Sequence, residues 1–313
     1  MSNILPAASA PETAHTAFDF AQVDVFAERP LQGNQLAIFT DARGLSTEEM
    51  QALARETNLS ETSFIFPRDS DVERERGIQV RIFTTEEELP FAGHPTLGTA
   101  SWLYWNHPTL RGAEQLTLDL RVGPIPVRFT PPQPNEQGVF GTMRQNDPTF
   151  GDVHDRAAIA AALNLSVDDL DPDLPIQTVS TGMAQCIVPL KSMAVAARLQ
   201  VPQSSRAYLE RTGARFAYCI TRADAGSGAD WHARMQFYNG EDPATGSAAG
   251  CAISYLVRHG LAASRQPIVI EQGIEMLRPS RIHVAATHSG ETVSEVFVGG
   301  RTIPVAMGRF FLP

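Results

Sequence analysis

The chain has 313 residues, 43% of them hydrophobic, and a formal net charge of −10 at pH 7. That length and apolar content supply a substantial core for one or two domains, and the acidic balance speaks against nucleic acid, whose binding neutralises phosphates with Lys and Arg. No apolar run reaches membrane-spanning length, and Cys186, Cys219 and Cys251 are dispersed without a Cys-x-x-Cys pair, so reduced thiols in a cytoplasmic protein without a structural metal are expected.

Residues 1–16 are rich in Ala, Pro and Ser, lack the basic start and apolar stretch of a signal peptide, and read as a loose tail. Ala21 to Phe26 alternates as a strand and Gln35 to Phe39 reads as its partner, with Gly33-Asn34 marking the turn region. Ser46-Thr47-Glu48-Glu49 has the form of a helix cap ahead of Met50, Leu53 and Ala54. Asn58-Leu59-Ser60-Glu61 then turns into the strand Thr62 to Phe66. A strand over 78–83 leads through an acidic loop to the apolar stretch Phe91-Ala92-Gly93-His94-Pro95-Thr96-Leu97-Gly98-Thr99-Ala100-Ser101. Leu116 to Leu120 and Ile125 to Phe129 read as a hairpin, and the proline-rich 131–136 as a boundary.

Beyond the boundary, a helix is expected near 156–163, a turn-rich loop over 168–175, strands over 178–180, 185–190 and 216–220, and a helix over 193–200. Ala233 to Phe237 precedes Gly240-Glu241-Asp242-Pro243-Ala244-Thr245-Gly246-Ser247-Ala248-Ala249-Gly250. This second stretch echoes the first. With Pro95 laid on Pro243, Gly98 falls on Gly246, Thr99 on Ser247, Ala100 on Ala248 and His94 on Asp242. Each copy predicts a strand, a turn and a helix that starts at its proline, and two helix N-termini together make a clamp for an anion. Strand patterns return over 268–270, 282–286 and 293–298. The reading is two similar α+β halves, each a mostly antiparallel sheet wrapped round one apolar helix.

Glu61 stands where a helix ends and a core strand begins, so partial desolvation would raise its pKa toward a general-base range; the plainer reading is a solvated strand-end glutamate. His94 offers a group that titrates near neutrality, or a structural hydrogen bond at a helix start. Asp242 before Pro243 reads as an N-cap that also faces whatever binds at the helix end, and Glu241 as a solvent-facing neighbour. Thr245-Gly246-Ser247-Ala248 has neither the lysine of a phosphate loop nor the glycine spacing of a nucleophile elbow, and Ser247 reads as a hydroxyl donor to a substrate carboxylate. The cysteines read as buried small apolar residues.

In combination, Asn58-Leu59-Ser60-Glu61-Thr62-Ser63-Phe64, Pro90 to Gly98 and Glu241 to Ala248 resemble the phenazine-biosynthesis PhzF-like family, with support from Asp24-Val25-Phe26, Gly33-Asn34, Gln272-Gly273 and Arg278-Pro279-Ser280. The resemblance spans roughly 19–312 and implies a diaminopimelate epimerase-like fold. Its lobes would be 17–132, joined by the tail from about 297 to 313, and 133–296. It implies Glu61 as catalytic base and acid, assisted by His94 and Asp242. Ser247, Gly246, Thr245, Gly93, Asn34, Pro95 and Thr96 would bind the substrate. A cofactor-independent isomerase of a small carboxylate, working as a homodimer, is expected. The competing readings are an amino-acid racemase or epimerase without the cysteine pair of its relatives, and a non-catalytic carboxylate binder. Gln35, where the family usually has proline, and a short 237–241 loop are departures that bear on substrate choice.

Overall fold

The computed structural model describes residues 16–237 and 240–312. The tail expected over 1–16 lies outside the described residues except for Thr16, which opens the first strand, and Tyr238 and Asn239 of the 237–241 loop lie outside them too. The first half runs β1 (Thr16–Val25), β2 (Asn34–Phe39), α1 (Thr47–Thr57), β3 (Thr62–Phe66), α2 (Ser70–Arg76), β4 (Ile78–Phe83), β5 (Glu88–Leu89), α3 (Gly93–Asn106), β6 (Gln115–Leu120), β7 (Gly123–Thr130) and β8 (Val139–Arg144). The second runs β9 (Thr149–Val153), α4 (Arg156–Ala162), β10 (Gln177–Ser180), β11 (Ala184–Pro189), α5 (Met193–Ala197), α6 (Ser205–Arg211), β12 (Phe216–Arg222), β13 (Trp231–Arg234), β14 (Gln236–Phe237), β15 (Gly240–Glu241) and α7 (Gly246–Arg258). The chain closes with β16 (Ile268–Gln272), β17 (Ser280–Ser289) and β18 (Thr292–Leu312).

One strand serves both halves. β18 pairs with β17 at its start, with β8 over Phe297 to Thr302 and with β1 over Thr302 to Leu312. The order β1-β2-β3-β4-β6-β7-β8-β18 therefore returns to β1 and closes around α3, while β17-β16-β13-β12-β11-β10-β9 continues from β18 and wraps α7. The division drawn from sequence at 132/133 falls between β7 and β8, which pair with each other across that turn, so β8 sits in the sheet around α3.

The halves repeat one connection pattern. β4 and β6 are parallel and joined through α3, as β13 and β16 are parallel and joined through α7. β2 and β3 are parallel through α1, as β11 and β12 are through α5 and α6. The other pairings are antiparallel. A parallel pair needs a crossover, and in each case the intervening helices supply it.

α3 is buried from Gly93 to Ser101 and α7 from Ala248 to Val257, as expected of helices largely apolar all round. A Cβ on Gly98 would lie 2.7 Å from side-chain carbons of Val25 and Leu36, which is why α3 carries glycine where it crosses the sheet. α1 starts on the expected capping box of Ser46 and Glu49, and covers an outer aromatic cluster in which Phe39 stacks on Phe64 at 4.9 Å. α2 and α6 were not expected, because both are short and polar without an apolar period, and α5 stops at Ala197 instead of continuing to Gln200. No described helix is long and apolar enough to cross a membrane.

Candidate active site

The starts of α3 and α7 meet at the junction of the halves. A Cβ on Gly93 would sit 3.2 Å from the backbone N of Ser247, and one on Gly246 would sit 3.7 Å from the Cα of Gly93. At Gly93 a side chain would press on the start of α7, while the 3.7 Å at Gly246 is ordinary contact. The first-turn N–H groups of both helices lack intrahelical partners and border one cavity of about 840 Å³. The helices do not begin on their prolines as expected. Pro95 is the third residue of α3, and Pro243 precedes α7, whose N-cap is Thr245.

Glu61 lies just before β3 and lines this cavity with His94, Asp242 and Ser247. Its side chain is 17% exposed and that of His94 4%, with Glu61 Oε2 3.3 Å from His94 Nδ1. Burial, reinforced by the negative charge of Asp242 and opposed by Arg215, lifts the Glu61 carboxyl to about 8. Burial also lowers His94 to about 3, so its imidazole is neutral at pH 7. Asn34 donates from Nδ2 to Asp242 Oδ1 at 2.7 Å and to Ala244 O at 2.9 Å, which fixes the amide orientation. With both amide hydrogens so engaged, Asn34 Nδ2 only borders His94 Nδ1, 3.4 Å away. Neither His94 Nε2 nor Glu61 Oε2 has a hydrogen-bond partner among the described residues. A protonated Glu61 can donate from Oε2 to an unprotonated Nδ1 across that 3.3 Å.

Asp242 is not the N-cap expected from its place before proline. It accepts from Thr245 Oγ1 at 2.6 Å, from Asn34, and from Ser60 Oγ at 3.3 Å. Burial raises its pKa to about 6, while those three donors hold it down. Gly93, Thr245 and Gly246 line the cavity as expected; Asn34, Pro95 and Thr96 do not. Asn34 stands behind Asp242, Pro95 is buried within α3, and the Thr96 hydroxyl is turned back to Ala92 O at 2.7 Å.

The supporting motifs all hold this arrangement. Arg278 pairs with buried Asp24 at 2.8 Å and donates to the carbonyls of Gln32 and Gly33, fixing the turn before Asn34. Gly33 takes φ 68° there, and a Cβ would lie 2.2 Å from Val25 O. Gln272 donates to Asp242 O and accepts from Thr245 N, and Ser280 donates to Pro243 O.

Sequence reading missed several lining residues. Gln145 accepts from Thr181 Oγ1 at 2.6 Å and donates to Gly246 O at 2.9 Å, bracing the start of α7. Arg215, also in the wall, pairs across the halves with Glu87 at 2.7 Å. Neither belongs to a local motif; only the meeting of distant strands brings them in. Glu241, expected to face solvent, is held by Arg234 through two contacts of 2.7 and 2.6 Å. All three cysteines are buried, as expected, and burial pushes Cys251 up to about 11. They form no pair at the helix starts.

The family described as phenazine biosynthesis-like protein, PhzC-PhzF, matches residues 23–308. The trans-2,3-dihydro-3-hydroxyanthranilate isomerase of Pseudomonas aeruginosa is 37% identical over 300 residues, which cover 94% of this chain and 99% of that protein. The crystal structure of a PhzF-family phenazine biosynthesis protein from Bacillus anthracis superposes with a TM-score of 0.83 at 27% identity, over 94% of this chain and 99% of that one. A probable proline racemase from Agrobacterium radiobacter, at 10% identity and a TM-score of 0.62 over 94% and 92% of the two chains, shares the fold alone. The expected two-lobed α+β architecture of the epimerase type is thus the one observed.

Proposed function

Because this chain belongs to the phenazine biosynthesis-like PhzC-PhzF family and is an isomerase, we propose that it moves a proton on a small carboxylate substrate with Glu61 as base and acid and no cofactor. The observation that carries this is the placement of Glu61, desolvated and lifted to about 8, in the same cavity as the two helix starts. The N–H groups of Gly93, His94, Gly246 and Ser247, with the Ser247 hydroxyl, would receive the substrate carboxylate. Such donors favour negative charge most when it builds up on the carboxylate as the neighbouring carbon loses its proton.

Ionised Glu61 then takes that proton. Its poorly solvated site disfavours the anion, so the ionised form is a strong base and the neutral form a stable resting state. The protonated carboxyl turns its O–H toward His94 Nδ1, which accepts it while remaining neutral, and later gives the proton to a different carbon. Asp242, held as a carboxylate by Asn34, Ser60 and Thr245, raises the proton affinity of Glu61 through its charge. One group can serve in both directions if the cleft keeps the proton from bulk water.

Asp242 also supports a second reading, since a second carboxylate with a raised pKa in the cavity is what one-carbon inversion would need. The two are separated by running trans-2,3-dihydro-3-hydroxyanthranilate and a panel of amino and hydroxy acids in heavy water. Isomerisation gives a product with its double bond or hydrogen shifted to a different carbon. Racemisation places deuterium on the carbon that lost its proton, with inversion. Binding without product or exchange across the panel would contradict both.

A further inference from the structure

Glu241 shares the cavity wall with Asp242 yet is excluded from the mechanism above, and its surroundings explain why the chain tolerates a third carboxylate there. Both of its oxygens are engaged. Arg234 Nε and Nη2 contact one each, and Gln236 Nε2 donates to Oε2 at 3.1 Å. Arg234 itself is 5% exposed, and its remaining nitrogen donates to Ala196 O at 2.6 Å at the C-terminal end of α5. The loop is further tied by Asp242 N donating to Met235 O at 2.9 Å and by the β14–β15 pairing. A bidentate arginine-carboxylate pair of this burial is rigid and directional, and it engages both Glu241 oxygens.

We propose that Arg234 and Glu241 are a positioning pair for Asp242: the pair clamps the loop that presents Asp242, and the balance of its two charges sets how firmly Asp242 holds a proton. The reading rests on Asp242 belonging to the site, but its test needs no turnover. The charged and titratable groups facing Asp242 are Glu61 ahead of β3, His94 on α3, Tyr218 on β12 and Glu241 on β15. Those facing Glu241 are Arg234 on β13, the adjacent Asp242 and Cys219 on β12, while Glu275 beyond β16 faces Arg234. Of these, Glu241 and Arg234 carry opposite charges at the same place, so removing one or the other must move Asp242 in opposite directions.

The measurement is the carboxyl 13C NMR titration of Asp242 in the unliganded full chain labelled at aspartate, assigned by the signal lost in Asp242→Asn. Glu241→Gln removes a neighbouring negative charge and leaves Arg234 positive, so the midpoint falls, by roughly half a pH unit or more. Arg234→Gln leaves Glu241 uncompensated, so the midpoint rises. The double variant returns toward the parent value. Any other ordering of the two single variants around the parent overturns the proposal. If Arg234→Gln does not fold, Glu241→Gln, which is isosteric, decides alone by the direction of its shift. Because no substrate is present, this outcome is independent of whether Glu61 moves a proton.

Discussion

Asn34 reaches across 208 positions of sequence to donate to Oδ1 of Asp242 at 2.7 Å, and the same nitrogen stands 3.4 Å from Nδ1 of His94. One amide thus stands between a histidine of the first half and the carboxylate of a loop from the second, and fixes the latter. Asn34→Ala removes a charge-assisted bond to a buried carboxylate, worth about 1.5–3 kcal/mol. A loss of ten- to hundredfold in kcat/KM is expected, with the circular dichroism spectrum unchanged and Asp242 titrating higher. Full activity in this variant would show that Asn34 does not hold the site.

Glu61 makes the fold pH-sensitive. Its value of about 8 in the folded chain stands above its ordinary 4.5. Between those values the folded chain keeps a proton that the unfolded chain has released, so this group's stabilisation is present below about 4.5 and is lost as pH rises through about 8. Glu61→Gln keeps the neutral amide shape at every pH. It should match the parent near pH 4.5 and exceed it at pH 9 by on the order of a few kcal/mol. Denaturant melts at the two pH values check this; a variant no more stable than the parent at pH 9 would contradict the burial argument.

His94 acts at the other end of the scale. Its folded value of about 3 lies below the ordinary 6.5, so the unfolded chain takes up a proton first as pH falls. The neutral ring costs the fold stability below about pH 6.5, increasingly down to about 3. His94→Gln should flatten the acid side of the stability profile, read as Tm between pH 4 and 7. An unchanged acid slope would place the sensitivity elsewhere.

Arg278 and Asp24 close the loop behind Asn34, with Asp24 1% exposed. Arg278→Met leaves that carboxylate buried without its cation, a loss of about 3–5 kcal/mol. Urea unfolding should show the drop, and kcat/KM should fall with it because Asn34 loses its support. Unchanged stability would mean that the turn holds itself.

Much of this was legible in the sequence because the information is local. The period-2 strands, the Ser46–Glu49 cap and the echoed Gly/Pro stretches announce their own structures, and the echo revealed the two central helices. Glu61, His94, Asp242 and Ser247 do meet in one cavity. What sequence could not show depends on long-range pairing. The prolines misled on where the helices start, because Pro243 belongs to a loop tied down by Gln272 and Ser280 from β16 and β17. Asn34 lies in the expected neighbourhood but works through Asp242. Glu241 reads as exposed until β13 brings Arg234 beside it, and Gln145 and Arg215 reach the cavity because β8 ends and β12 begins there.

The central claim is that Glu61 carries the proton. It is tested most directly by following deuterium exchange from heavy water into bound substrate at pH 8, in the parent and in Glu61→Gln. Glutamine keeps the shape and cannot transfer a proton, so exchange and product formation should fall together by at least a thousandfold, on the order of general acid-base contributions, while substrate still binds. Exchange at the parent rate in Glu61→Gln would contradict the assignment.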